Sequence, residues 1–368
     1  MENLLLTTTG KKMKELFCFD DFVMLPLYSE IESRFTVDTT VNIEKKDVDT
    51  NEVISLWRFN SPIISAPMSN VTDYEMCSAM GNINSMAILH RFQSLESKLE
   101  KLKKLKSEHN FTFTSVAVGV QQQDYDDLLA YIDVGVDLIC VDVAHGVNIK
   151  TLKFVEHAKK LLSGTGIFLV VGSISDHTHI SEYISRGLSV DGYRVGIGGG
   201  SICTTTIQTG HGVPLASSLS VIQEYRDTLP PKDNDFFIIA DGGIRNSGDI
   251  VKSLYLGADF VMCGSLLAGT KESPGNYVSI NDKQYKQYFG MASKENQVGK
   301  DNIYEEGISH HIPAKGYVHL EINNLMNGVR SGCSYSNCKS IYELQTKGKS
   351  SFITSNSIAE RKAHIREL

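Results

Sequence analysis

The chain has 368 residues and a formal net charge of −7, from 36 Lys and Arg against 43 Asp and Glu. That balance offers no basic surface, and no Lys/Arg run is long enough for a nucleic-acid arm, so phosphate polymers are excluded as partners. No apolar run reaches the length that crosses a bilayer, and residues 1–10 lack a basic-then-apolar leader; no membrane partner and a cytoplasmic location are expected. Seven cysteines, an odd number without short-range pairing, fit reduced thiols. Cys333 and Cys338 lack the second pair or the histidines that a zinc site needs.

In chain order, residues 1–60 read as an N-terminal extension, with short extended pieces at 19–26 and 35–41 and no long helix. From Pro62 the pattern changes to short apolar runs, each followed by a polar or Gly-containing turn and a longer helical segment. The runs are Ile63–Ala66, Ser85–Leu89, Thr112–Val118, Leu138–Val143, Gly166–Val171, Gly192–Val195, Phe236–Ala240 and Asp259–Cys263. Apolar residues recur at three- and four-residue spacing in Tyr74–Met80, Ser94–Lys106, Tyr125–Asp133, Ile149–Leu162, Ile180–Ser185, Leu215–Thr228 and Ser247–Leu256. Eight β/α units predict an α/β chain folded as one (β/α)8 TIM-barrel domain, its core at about 61–270, with a doubly wound sheet as the alternative. Residues 271–368 form a flap and C-terminal segment. Tyr285–Lys315 reads as a polar, mobile flap, and Val318–Leu325 and Ser340–Leu344 as helices; the tail from Lys347 reads as partly disordered or packed on a neighbour.

The sixth run leads into Gly196-Ile197-Gly198-Gly199-Gly200-Ser201-Ile202-Cys203-Thr204-Thr205-Thr206, four glycines followed by a single cysteine. Backbone without β-carbons can adopt positive φ and lie against a ligand. Ser-Ile-Cys-Thr-Thr-Thr has no amphipathic period, so Cys203 is either a buried structural thiol or a nucleophile. In a barrel this loop follows the sixth strand, Ala240-Asp241-Gly242-Gly243-Ile244-Arg245 the seventh, and Cys263-Gly264-Ser265-Leu266 the eighth. Loops after the last two strands are the usual phosphate site of the fold. Asp241 either caps a helix or accepts ribose hydroxyls. His145, His177, His179, His211, His310 and His311 lack metal-ligand spacing and read as surface or loop residues.

Read together, FDDFVMLP (19–26), SPIISAPMSNVT (61–72), AILHRF (87–92), ICVDVAHG (139–146), YRVGIGGGSICTTT (193–206), the segment 238–275, YFGMAS (288–293) and YEEGISHHIPAKG (304–316) resemble the inosine monophosphate dehydrogenase and guanosine monophosphate reductase superfamily. The phosphate segment alone is also similar to flavin mononucleotide-dependent barrels. The resemblance implies a TIM barrel in which Cys203 attacks purine C2 and Thr205 handles a proton. It implies that Ser201, Gly243, Gly264, Ser265 and Tyr288 hold the 5′-phosphate, Asp241 the ribose, and Met291 and Glu306 the base. Met68, Gly242, Gly290 and Gly307 would complete the contacts to a purine mononucleotide. Asp142, Ala144 and Gly146 fall where the nicotinamide cofactor runs, with His90 and Arg91 as further candidates. Carbonyls of Gly198, Gly200 and Cys203 correspond to a monovalent cation site, K+ in the dehydrogenases.

In this family, collapse of the Cys203 adduct expels either hydride or ammonia. The dehydrogenases hydrolyse the thioimidate with water activated by an Arg-Tyr pair on the flap. No Arg-Tyr dipeptide occurs in 290–316, and the two small regulatory (CBS) domains that most dehydrogenases insert have no counterpart. Both absences point to the reductive reaction, NADPH-dependent conversion of GMP to IMP and ammonia, in a homotetramer or octamer. The chain departs from the pattern at three places. Lys294 stands where reductases carry a glutamate, with Glu295 next to it as the candidate acid; Ser69 replaces an Asp, and Ser173 an Asn. A deoxy or modified purine nucleotide, a dehydrogenase without the regulatory domains, a flavin-dependent barrel and a nucleotide-binding protein without turnover remain as alternatives.

Overall fold

The computed structural model describes residues 4–6, 12–47, 50–108, 113–289, 309–354 and 356–357. Eight parallel strands close on themselves: β1 (Ile63–Ser65), β2 (Met86–Leu89), β3 (Ser115–Val118), β4 (Leu138–Asp142), β5 (Phe168–Ile174), β6 (Gly192–Val195), β7 (Phe237–Asp241) and β8 (Phe260–Cys263), with β8 pairing back onto β1. Helices follow in alternation: α1 (Tyr74–Asn82), α2 (Leu95–Glu108), α3 (Gln122–Val134), α4 (Ile149–Leu162), α5 (His177–Ser185), α6 (Leu215–Thr228), α7 (Ser247–Tyr255) and α8 (Val318–Tyr335). The fold is therefore a (β/α)8 TIM barrel, and the doubly wound alternative is excluded by the closed strand order.

Strand alternation sends one set of side chains outward against the helices and the other into the barrel. Ile64, Met86, Ile88, Ala117, Leu138, Cys140, Val170, Ile239 and Met262 fill the interior. At its N-terminal end Phe59, Phe113, Phe168, Phe237 and Phe260 form a closed ring of edge-on and tilted contacts, with centroid separations from 5.1 Å (Phe59–Phe113) to 6.4 Å (Phe113–Phe168). Gly192 makes room for it, because a β-carbon there would lie 2.5 Å from the Phe237 ring. Phe59 comes from the antiparallel hairpin Val41–Lys46/Val53–Phe59, which plugs that end of the barrel. Both ends of the barrel are thus differentiated: one sealed by aromatics, the other left to loops.

The N-terminal extension differs from the sequence expectation in that hairpin, whose second strand, VISLWRF, alternates too weakly to stand out. The segment expected as an irregular flap begins and ends as sheet: Lys283–Phe289 pairs with Val278–Ile280 and with Ser309–Pro313. α8 runs ten residues beyond the expected Leu325, because apolar Met326, Val329 and Cys333 continue the buried stripe. The start of the polar tail is tied down, with Ser350–Phe352 pairing on Phe22–Met24. Among the described residues no helix is long and apolar enough to cross a membrane.

Candidate active site

A cavity of about 490 Å³ opens at the C-terminal ends of the strands, and the loop after β6 forms much of its wall. Two glycines of this loop have no substitute. Gly196 sits at φ +146°, where a β-carbon would be 1.8 Å from the Asp241 carbonyl oxygen; Gly198 sits at φ +81°, its β-carbon 2.3 Å from Thr206 Oγ1. The chain can therefore pass tight against β7 before turning at Gly200, whose carbonyl accepts the Cys203 N–H at 3.0 Å. That turn delivers Cys203, half-buried, to the cavity wall, with Sγ 3.2 Å from Thr205 Oγ1. Thr205 opens the short helix Thr205–Thr209, so thiol and hydroxyl are held by one rigid corner.

The loops after β7 and β8 bring Gly242, Gly243, Gly264 and Ser265 to the same cavity as Cys203, Ser201, Met68 and Tyr288. Gly242 and Gly243 both have positive φ, +97° and +71°, and a β-carbon on Gly243 would lie 3.1 Å from the Gly199 carbonyl oxygen. Gly264 leaves space for Tyr288, whose Oη would be 3.0 Å from a β-carbon there. The Tyr288 hydroxyl faces Ser201 and Ser265, and burial pushes the phenol up to about 12, so it stays a neutral donor at physiological pH. Lys315 Nζ donates to the Ser265 and Leu266 carbonyls at 3.0 and 2.7 Å and pins the loop from behind. Hydroxyls and glycine backbone meeting at strand ends are the means by which this fold holds a phosphate monoester.

The third wall is charged. Asp142 on β4, Gly172 on β5 and Arg194 on β6 stand side by side in register. With no side chain at Gly172, Arg194 lies across it, since a β-carbon there would come within 2.4 Å of Arg194 Cβ. Arg194 Nη1 donates to Asp142 Oδ1 at 2.6 Å, Nη2 donates to Ser173 Oγ at 3.1 Å, and Nε lies 3.2 Å from Asp241 Oδ2. The Nε contact is an ion pair without a hydrogen bond, so this buried N–H has no hydrogen-bond acceptor. Arg91 Nε reaches Asp142 Oδ2 at 3.3 Å and stacks over the Phe92 ring. Burial works to raise the Asp142 carboxyl, but Arg194 and Arg91 outweigh it and hold the group below its ordinary value. For Asp241 burial wins over the single arginine, and its carboxyl is raised.

Of the residues expected in the site, Cys203, Thr205, Met68, Ser201, Asp241, Gly242, Gly243, Gly264, Ser265, Tyr288, Arg91, Asp142, Ala144, Gly198 and Gly200 all line this one cavity. His90 does not. Its ring is buried below the wall, Nδ1 accepts the Phe92 N–H at 3.1 Å, and burial lowers it to about 4, so it is a neutral support for Arg91 and Phe92. Gly146 is also set back; its N–H donates to the Ser173 carbonyl at 2.7 Å and its carbonyl accepts from Tyr183 Oη at 2.5 Å. Gly290, Met291, Glu295, Glu306 and Gly307 lie outside the described residues. Among the described residues no group of three or more His, Cys, Asp or Glu could hold a metal ion.

Sequence reasoning passed over Arg194, Phe92 and Lys315. A signal for Arg194 was present: a charge inside the otherwise apolar strand Tyr193-Arg194-Val195, next to the glycine loop, is costly unless paired. Nothing local marks Lys315, whose partners lie about 50 residues away.

The chain is 31% identical over 336 residues to the GMP reductase of Clostridium acetobutylicum, covering 91% of this chain and 95% of that protein. It is 37% identical over 268 residues to the inosine-5′-monophosphate dehydrogenase of Methanocaldococcus jannaschii, covering 68% of this chain and 53% of that protein, so the match spans about half the length of that relative. The dehydrogenase of Cryptosporidium parvum is 31% identical over 403 residues, 95% of each chain. Residues 16–364 match the family described as the IMP dehydrogenase / GMP reductase domain, a family of oxidoreductases, and the chain belongs to it.

Proposed function

We propose that the protein is a GMP reductase, converting GMP and NADPH with two protons to IMP, ammonium and NADP+. The carrying observation is the placement of the Cys203 thiol, paired with Thr205, in one cavity with the Tyr288, Ser201 and Ser265 hydroxyls. A nucleotide anchored by its phosphate at the hydroxyls, and by its ribose at Asp241, presents its base toward the cysteine. The buried Arg194 N–H beside Asp241 supports this, because a vicinal diol can accept from it while donating to the carboxylate.

The chemistry of the chain's own groups follows. Cys203 Sγ adds to C2 of the purine, and Thr205 Oγ1 holds the proton shared with the thiol. The exocyclic amine leaves C2 as ammonia, with Glu295 assigned to supply its proton. The C2–S bond later breaks, returning the thiolate. Arg91, Phe92, Asp142 and Ala144 line the part of the cavity assigned to a nicotinamide cofactor: a cation, an aromatic face, a carboxylate and a small residue suit a dinucleotide. When bound, that cofactor supplies hydride to C2. Carbonyls of Gly198, Gly200 and Cys203 are the proposed K+ ligands, and the assembly is proposed to be a homotetramer or octamer acting in the cytoplasm. The reductive direction is supported by the arginine-free sequence at 290–316.

The higher identity to the Methanocaldococcus protein favours, as a second reading, oxidation of IMP with NAD. Both readings are separated by one assay. GMP with NADPH should lose absorbance at the nicotinamide band and release ammonia. Steady NADH production from IMP and NAD would overturn the reductase reading. Turnover of dGMP in preference to GMP would move the substrate to the deoxy series.

A further inference from the structure

At the opposite, N-terminal end of the barrel lies a separate cavity of about 370 Å³. It is bounded by the turns entering β1 and β2, by residues 37–40, and by the face of α8 that carries Asn323 and Arg330. Three of its side chains, on Ser61, Ser85 and Arg330, can donate to a ligand. Ser85, only 5% exposed, has a buried Oγ without any hydrogen-bond partner. Ser61, equally buried, accepts the Ile63 N–H at 3.1 Å, which leaves its hydroxyl proton for another acceptor. Arg330 reaches into the same space; its Nη2 lies 3.5 Å from Thr39 Oγ1, and among the described residues it pairs with no carboxylate. The buried Ser85 hydroxyl is costly unless something accepts from it, and Arg330, on the wall of the same cavity, can donate to the same acceptor.

The one acid on the wall is Asp38. It is exposed, and its Oδ1 is occupied by the Thr40 N–H and hydroxyl at 2.9 and 2.7 Å. A cation would meet Arg330 with only this committed carboxylate to offset it, whereas a tetrahedral oxyanion matches the fork of Arg330 and accepts from serine hydroxyls. We propose that this cavity is a second ligand site, which takes a phosphate-type oxyanion on Arg330, Ser85 and Ser61. The site is independent of the reaction assigned to the other end of the barrel.

Free phosphate and the phosphate of a mononucleotide share this chemistry, and crystals soaked in each decide between them. In tungstate, a phosphate mimic, wild-type crystals should show an anomalous peak within hydrogen-bond reach of Arg330 and Ser85. Arg330→Gln should lose that peak while keeping any peak beside Tyr288, and Ser85→Ala should weaken it without changing the fold. In solution, the affinity for inorganic phosphate measured at this site should fall about tenfold or more in Arg330→Gln. Soaking with AMP assigns the source: purine density beside the bound phosphate means a nucleotide, phosphate density alone means the free anion. No peak at Arg330 in the wild type, or an unchanged peak in Arg330→Gln, overturns the proposal.

Discussion

Replacing Arg194 by Gln removes the cation between Asp142 and Asp241 and leaves two carboxylates on a wall whose side chains are 12% and 25% exposed. Only Arg91, 3.3 Å from Asp142, remains to offset them. Breaking a buried ion pair by removing one partner costs about 3–5 kcal/mol, a large share of the roughly 5–15 kcal/mol that holds a domain folded. The cost depends on pH with a definite sign. In the wild type Asp142 is held below its unfolded value, so its contribution is present above that value and is lost as pH falls through the folded one. In the variant, burial of Asp142 and Asp241 is opposed only by Arg91. Asp142 then rises above its unfolded value of about 4 and Asp241, already raised in the wild type, rises further, so destabilisation grows as pH climbs past them. Urea unfolding of both proteins should therefore show the full gap near about pH 8 and a much smaller one near about pH 4. A gap equal at both pH values, or below about 1 kcal/mol at pH 8, would refute the shared-arginine account.

Three further outcomes follow from other parts of the structure. Phe260→Ala opens the aromatic ring at the sealed end of the barrel and should cost about 3–5 kcal/mol in urea unfolding, with kcat changed little. Gly198→Ala drives a β-carbon into Thr206 Oγ1 at φ +81° and should abolish turnover by displacing the cysteine corner, while the unfolding midpoint moves far less than for Phe260→Ala. Tyr288→Phe removes a neutral donor from the proposed phosphate pocket and should raise KM for the nucleotide by about tenfold, with a smaller change in kcat.

The barrel was legible because burial on both faces writes parallel strands as short continuous apolar runs, and all eight runs became strands within a few residues of their expected bounds. The hairpin that plugs it was not, since its residues answer to Phe113 and Phe260 far along the chain rather than to a local period. In the site, Cys203, Asp241 and the glycines announced themselves by type and position. Arg194 did not, although it touches both carboxylates: its meaning depends on the lateral register of β4, β5 and β6, and on the missing side chain at Gly172. His90 misled in the other direction, because a histidine next to Arg91 reads as a ligand until its ring is seen to accept the Phe92 N–H. Lys315 belongs with Arg194, a long side chain whose role is written at the far end of its reach.

The central claim is that the glycine loop aims Cys203 at a nucleotide anchored elsewhere, and Cys203→Ala tests it most directly. Turnover of GMP with NADPH should vanish, while the nucleotide dissociation constant, measured calorimetrically, stays within about tenfold of wild type because Asp241, Ser265 and Tyr288, proposed to hold ribose and phosphate, lie outside the cysteine loop. Turnover that survives the substitution would contradict it.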